Sequence, residues 1–93
     1  MIPADRLRDL RNNIPVLAVI SRLGIPTRMR RARLTFRCPL CGLFCTALNE
    51  LTNLARCFPC RRNFNTIDII QAERSASFLE AVDYLEHLLG VTR

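Results

Sequence analysis

The sequence predicts an α+β domain in which a small antiparallel β-sheet, drawn together at one end by a metal ion, is flanked by N-terminal and C-terminal helices. Three observations predict it. Apolar residues recur at helical spacing at both ends of the chain, a period of two begins at Arg33, and two Cys-x-x-Cys pairs bracket the region between. With 93 residues the chain is read as one domain over 1–93, because two hydrophobic cores would not fit. A chain this short commonly needs a metal or disulfides beside its core.

Residues 4–25 read as two helices. Leu7 and Leu10 lie at i, i+3 in the first. Pro15 stands where a second helix can begin after Asn13, and Val16, Leu17, Val19, Ile20 and Leu23 make that helix almost wholly apolar. Gly24 and Pro26 stop it. An arginine-rich link follows, before the strand that begins at Arg33. From Arg33, Leu34 and Phe36 point one way while Arg33, Thr35 and Arg37 point the other, as in a half-buried strand that runs into Cys38. Further strands are expected over Leu43–Leu48 and Leu54–Phe58, joined by the turn from Asn49 to Asn53, so the metal-bearing sheet occupies about 30–62.

Two helices are expected over about 65–90. Asn65 suits the N-cap of a short one over Thr66–Glu73, with Ile67, Ile69 and Ile70 to bury. Ser77-Phe78-Leu79-Glu80 has the spacing of a capping box, and Phe78, Ala81, Val82, Leu85, Leu88 and Leu89 then form one apolar stripe. Gly90 is expected to end that helix.

The chemistry lies in the cysteines. Cys38-Pro39-Leu40-Cys41 and Cys57-Phe58-Pro59-Cys60 are separated by enough chain for two strands and a turn. Each turn lets two thiolates face one ion, and a hairpin that joins the turns supplies the four ligands of a closed tetrahedral site. The expected cofactor is one structural zinc ion, which makes the sheet a zinc ribbon. Iron in a rubredoxin-like site would use the same four sulfurs. Disulfides are disfavoured by the odd cysteine count and by a start, Met1-Ile2-Pro3-Ala4-Asp5-Arg6, that shows no secretory signal. A cytoplasmic, reducing location is the corresponding expectation. Thioredoxin-like chemistry needs a strand-to-helix turn that neither pair has. Cys45, within a proposed strand, is read as an inert buried thiol. His87 is read as a surface residue.

All fourteen basic residues are arginine. Nine of them (22, 28, 30, 31, 33, 37, 56, 61 and 62) fall between Arg22 and Arg62 against the single acid Glu50, whereas Asp68 to Glu86 holds five acids against Arg74. No apolar run approaches the roughly 18 residues of a membrane span. Neither a membrane partner nor a small-molecule substrate is expected. Arginine presents a planar fork that binds phosphate with two hydrogen bonds at once. Arg30, Arg31, Arg33, Arg37, Arg56, Arg61 and Arg62 are therefore candidate nucleic-acid contacts, although Arg37, Arg61 and Arg62 also adjoin the cysteines, where cations offset the charge of four thiolates around a divalent ion. Phe44, Phe58 or Phe64 would stack a base if exposed.

The order of these parts resembles the N-terminal zinc-binding domain of bacterial replicative primases over residues 3–89. The likeness is carried by Leu34-Thr35-Phe36-Arg37-Cys38-Pro39-Leu40-Cys41, by Cys57-Phe58-Pro59-Cys60 and by Ser77-Phe78-Leu79-Glu80-Ala81-Val82-Asp83-Tyr84-Leu85. That family usually has histidine where this chain has Cys41. It carries Glu-Lys-Thr-Pro-Ser-Phe after the first cysteine pair, where this chain has Leu43-Phe44-Cys45-Thr46-Ala47-Leu48. A glycine-rich turn of the family is replaced by Arg61-Arg62-Asn63-Phe64-Asn65. The resemblance implies contact with single-stranded template DNA in replication or primer synthesis, alongside a catalytic primase subunit or a helicase. The magnesium-binding catalytic domain of primases has no counterpart in these residues, so no enzymatic activity is expected of them, whether they are a stand-alone protein or a fragment of a longer one. A zinc-stabilised protein adaptor that docks through its acidic, apolar-striped last helix is the competing expectation.

Overall fold

In the computed structural model, which describes residues 2–92 and the side chains up to Leu88, both N-terminal helices are entered through proline. Pro3 precedes α1 (Ala4–Asn12) and Pro15 precedes α2 (Val16–Leu23), each in an extended conformation that the pyrrolidine ring favours. Gly24 closes α2 at φ 72°, where its N–H reaches the carbonyls of Ile20 and Ser21. Leu10, Val16, Val19 and Ile20 are buried.

Five antiparallel strands follow as a simple meander in the order β1-β2-β3-β4-β5: β1 (Thr27–Arg30), β2 (Arg33–Arg37), β3 (Phe44–Asn49), β4 (Leu54–Cys57) and β5 (Arg62–Phe64). The sheet is two strands wider than the sequence suggests. The expected arginine-rich link before Arg33 is in fact β1 and its hairpin turn. Arg31 (φ 50°) and Ala32 (φ 63°) occupy the two positive-φ positions of that turn, which Asn-Gly or Gly-Gly normally fill, so the usual composition cue is absent. At the other edge, Arg62–Phe64 pairs with β4 instead of forming only a charged turn.

The register divides the sheet into two faces. Directly opposed residues share a face, so Arg28, Thr35, Ala47, Arg56 and Asn63 form one row across all five strands on the outer side. Phe36, Thr46 and Cys57 form a row on the inner side, and Leu48, Ala55 and Phe64 another; all six are buried.

Helices α3 (Thr66–Arg74) and α4 (Phe78–Thr92) complete the core. Asn65 and Asp68 form a capping box at the start of α3. Ser77 and Glu80 exchange the corresponding bonds before α4, at 2.9 and 3.1 Å. Ala81, Val82, Leu85 and Leu88 of the expected stripe are buried, Phe78 is 43% exposed, and Leu89 lies outside the described side chains. The helix does not stop at Gly90 but continues to Thr92. One glycine costs a helix about 1 kcal/mol, and with no proline after it there is nothing to enforce an end. No helix among the described residues is long and apolar enough to cross a membrane.

Candidate metal centre and the arginine face

The two cysteine pairs sit on matching turns. The residue after each second cysteine, Gly42 at φ 77° and Arg61 at φ 53°, adopts the left-handed conformation that reverses the chain. The Gly42 N–H then donates to the Cys38 carbonyl at 2.9 Å, and the Arg61 N–H to the Phe58 carbonyl at 3.1 Å. In the first turn the peptide N–H groups of Leu40 and Cys41 point at the Cys38 sulfur, at 3.4 and 3.5 Å. Because β2 and β4 both run toward the same end of the sheet, the turns meet there.

The sulfurs of Cys38, Cys41, Cys57 and Cys60 all lie within 4.8 Å of one another. Metal–thiolate bonds of about 2.3 Å arranged tetrahedrally require sulfur–sulfur edges of about 3.8 Å. The Cys38–Cys60 and Cys41–Cys57 separations are 3.9 and 3.7 Å. The four cysteines singled out by their spacing therefore form one cluster with the dimensions of a single tetrahedral site. Cys38 and Cys57 are fully buried, Cys60 is half-buried and Cys41 is exposed.

Cys45 departs from the sequence expectation. It is half-buried, and its sulfur lies 3.5 Å from that of Cys57 and 3.8 Å from that of Cys41. The close approach of the thiols shifts their protonation in opposite directions around Cys57. Burial pushes the Cys57 thiol up, but the Cys60 N–H and the thiols of Cys38, Cys45 and Cys60 together outweigh it and hold Cys57 at about 7. Its hydrogen bond to Cys57, then burial, raises Cys60 to about 12. Burial comes first for Cys45, also pushed to about 12, and burial raises Cys38. A bound cation would displace the thiol protons.

The candidate arginines do not all fall together. Arg33 and Arg56 are exposed on the outer face, where they line a groove of about 240 Å³ with Asn49, Leu54, Phe58 and Asn63. Arg30 pairs directly with Arg33 across the hairpin, and Arg31 is in its turn. Arg37 is drawn away into an ion pair with Glu73 of α3 at 3.0 Å. Arg62 lies in the inner-side row, beside the buried ring of Phe64. Arg61 is exposed in the second cysteine turn. Arg28, absent from the candidate set, belongs to the outer row, and its guanidinium stacks 4.4 Å from the centre of the Phe44 ring. Its alternation with Arg30 in Thr-Arg-Met-Arg was the available signal. Of the three phenylalanines, Phe64 is core, Phe44 is half-covered by Arg28, and Phe58 is 60% exposed. None of the five strands contains an acidic residue. His87 is exposed, as expected.

No protein-family model matches this sequence, and no curated protein matches it either.

Proposed function

We propose that this protein is a zinc-stabilised module that binds single-stranded DNA across the outer face of its sheet. The observation that carries the reading is the outer-face groove lined by Arg33, Arg56 and exposed Phe58. Arginines flanking an exposed aromatic ring are the elements of a single-strand platform: the guanidinium groups bind phosphates and the ring stacks a base. Like charges directly opposed on adjacent strands are destabilising. The Arg30–Arg33 pair therefore carries a penalty that an anionic ligand would relieve. Zinc is favoured for the cluster because four thiolates at tetrahedral separations suit it, and its role here is to hold the two turns together rather than to react.

Template contact in replication or primer synthesis is the setting that the resemblance to primase zinc-binding domains suggests, with a primase catalytic subunit or a helicase as the partner. The adaptor alternative loses its main support, because the apolar stripe of α4 is spent in this chain's own core from Ala81 to Leu88.

The test is fluorescence anisotropy with a labelled mixed-sequence single strand over a range of salt. Four outer-face arginines (28, 30, 33 and 56) that neutralise one phosphate each would give a log–log slope of about −3, at about −0.7 per phosphate. Absence of binding at low salt overturns the proposal.

A further inference from the structure

The fifth cysteine is where it is because of an irregularity in the sheet. Phe36 pairs with Thr46, yet the next residue of β2, Arg37, pairs with Phe44. Cys45 is thus the extra residue of a β-bulge. Bulges re-aim side chains. In a regular strand Cys45 would face away from the side that Thr46 and Cys57 share. Here its sulfur instead reaches the end of the sheet and stands 3.5 Å from Cys57 and 3.8 Å from Cys41.

With the 3.7 Å Cys41–Cys57 separation, these distances make a triangle of sulfurs whose sides are all close to a tetrahedral edge of about 3.8 Å. Two thiols, those of Cys41 and Cys45, flank Cys57 at such a distance; Cys45 stands outside the four sulfurs that all lie within 4.8 Å of one another, so taking the place of Cys41 requires its side chain to swing toward Cys38 and Cys60. The other corners are more firmly held: Cys38 and Cys57 are fully buried, whereas Cys41 is exposed on the turn at Gly42.

We propose that Cys45 is a reserve ligand that exchanges with Cys41, so that the ion is held by Cys38, Cys57, Cys60 and one of two interchangeable thiols. The inference rests on the cluster holding one ion. In the exchange the Cys45 sulfur bonds to the metal as the Cys41–metal bond breaks. The Cys45 thiol proton passes to the departing Cys41 thiolate. One bond forms, one breaks, no electrons are transferred, and the charge of the site is unchanged. The consequence is a site that keeps its ion when its exposed corner is lost to modification.

The experiment compares the wild-type chain with Cys41→Ser, Cys45→Ser and the double variant, reconstituted with zinc and with cobalt(II). Metal content and chelator competition are expected to give one ion for wild type and both single variants. The affinity of Cys41→Ser should stay within about tenfold of wild type, and that of the double variant should fall roughly a hundredfold further. Cobalt–thiolate charge-transfer absorption should keep its four-sulfur intensity in Cys41→Ser and lose a quarter of it in the double variant. A second measurement needs no substitution. Alkylation of the zinc-loaded wild type should place its first label on Cys41 and Cys45 alike, since either one is free at a given moment. A label confined to Cys45, or a Cys41→Ser variant as weak as the double variant, overturns the reserve ligand alone. A wild-type chain that binds no metal overturns the metal reading and this inference with it.

Discussion

Asn53, in the turn between β3 and β4, accepts a hydrogen bond from the backbone N–H of Val16, the first residue of α2, at 2.9 Å. Its amide nitrogen donates to the carbonyls of Arg11 and Ile14, at 2.7 and 2.8 Å. A residue 37 positions away thus supplies the cap that Pro15 cannot. Asn53 also sits at φ 55°, a conformation that asparagine tolerates better than most residues.

Asn53→Ala should therefore destabilise the protein by about 2–3 kcal/mol, from three lost hydrogen bonds and a left-handed residue without a compensating side chain. Denaturant titration measures this. Asn53→Asp, which keeps the acceptor but turns a carboxylate toward two carbonyls, should not restore stability.

Removing the metal should unfold the end of the sheet where the cysteine turns meet, because an ion that binds only the folded site contributes its binding free energy to folding. Circular dichroism before and after chelation is the check. The pH dependence has a definite sign. Cys38 and Cys60 are raised, so at least these two must lose protons to bind metal at neutral pH, and apparent affinity should fall by at least about a hundredfold per unit as pH is lowered. Below about 7 Cys57 is protonated as well, and the fall should steepen by roughly a further tenfold per unit. Metal competition at pH 8, 7 and 6 tests both parts.

Arg61 holds a left-handed conformation that Gly42 holds in the matching turn. Relieving the Cβ strain by Arg61→Gly should stabilise the metal-bound protein by about 0.5–1 kcal/mol, read as a higher melting temperature.

The Thr46 hydroxyl is buried and has no hydrogen-bond partner among the described residues. Valine has nearly the same shape and no polar atom to leave unsatisfied. Thr46→Val should raise stability by about 1 kcal/mol in a denaturant titration.

Arg33→Ala together with Arg56→Ala should leave the melting temperature within a few degrees of wild type, since both side chains are exposed. The salt slope of DNA binding should become shallower by about 1.4, the loss of two phosphate contacts. Arg37→Ala should do the reverse, costing stability through Glu73 with little change in slope. An unchanged slope in the double variant would place the DNA elsewhere.

Local chemistry was legible wherever neighbours in sequence decide the outcome. Gly24 ends α2, Asn65 and Ser77 start their helices, and the paired spacing of Cys38, Cys41, Cys57 and Cys60 points to one ion; each signal spans only a few residues. The outer strands were harder. β1 turns through Arg31-Ala32, and β5 has only three residues, so pairing with a neighbouring strand supplies what propensity does not.

By itself, then, the sequence determined the α+β class, the helix limits set by caps, and the four candidate ligands, because those depend on periodicity and short-range hydrogen bonding. Tertiary structure alone decided which arginines share a face, that Arg37 is tied to Glu73, that Asn53 caps α2 across the chain, and that Cys45 reaches the cysteine cluster. The physical reason is register. One extra residue in β3 turns a side chain toward the cysteines, and nothing in the order Phe44-Cys45-Thr46 reveals that until Phe36 and Arg37 have chosen their partners.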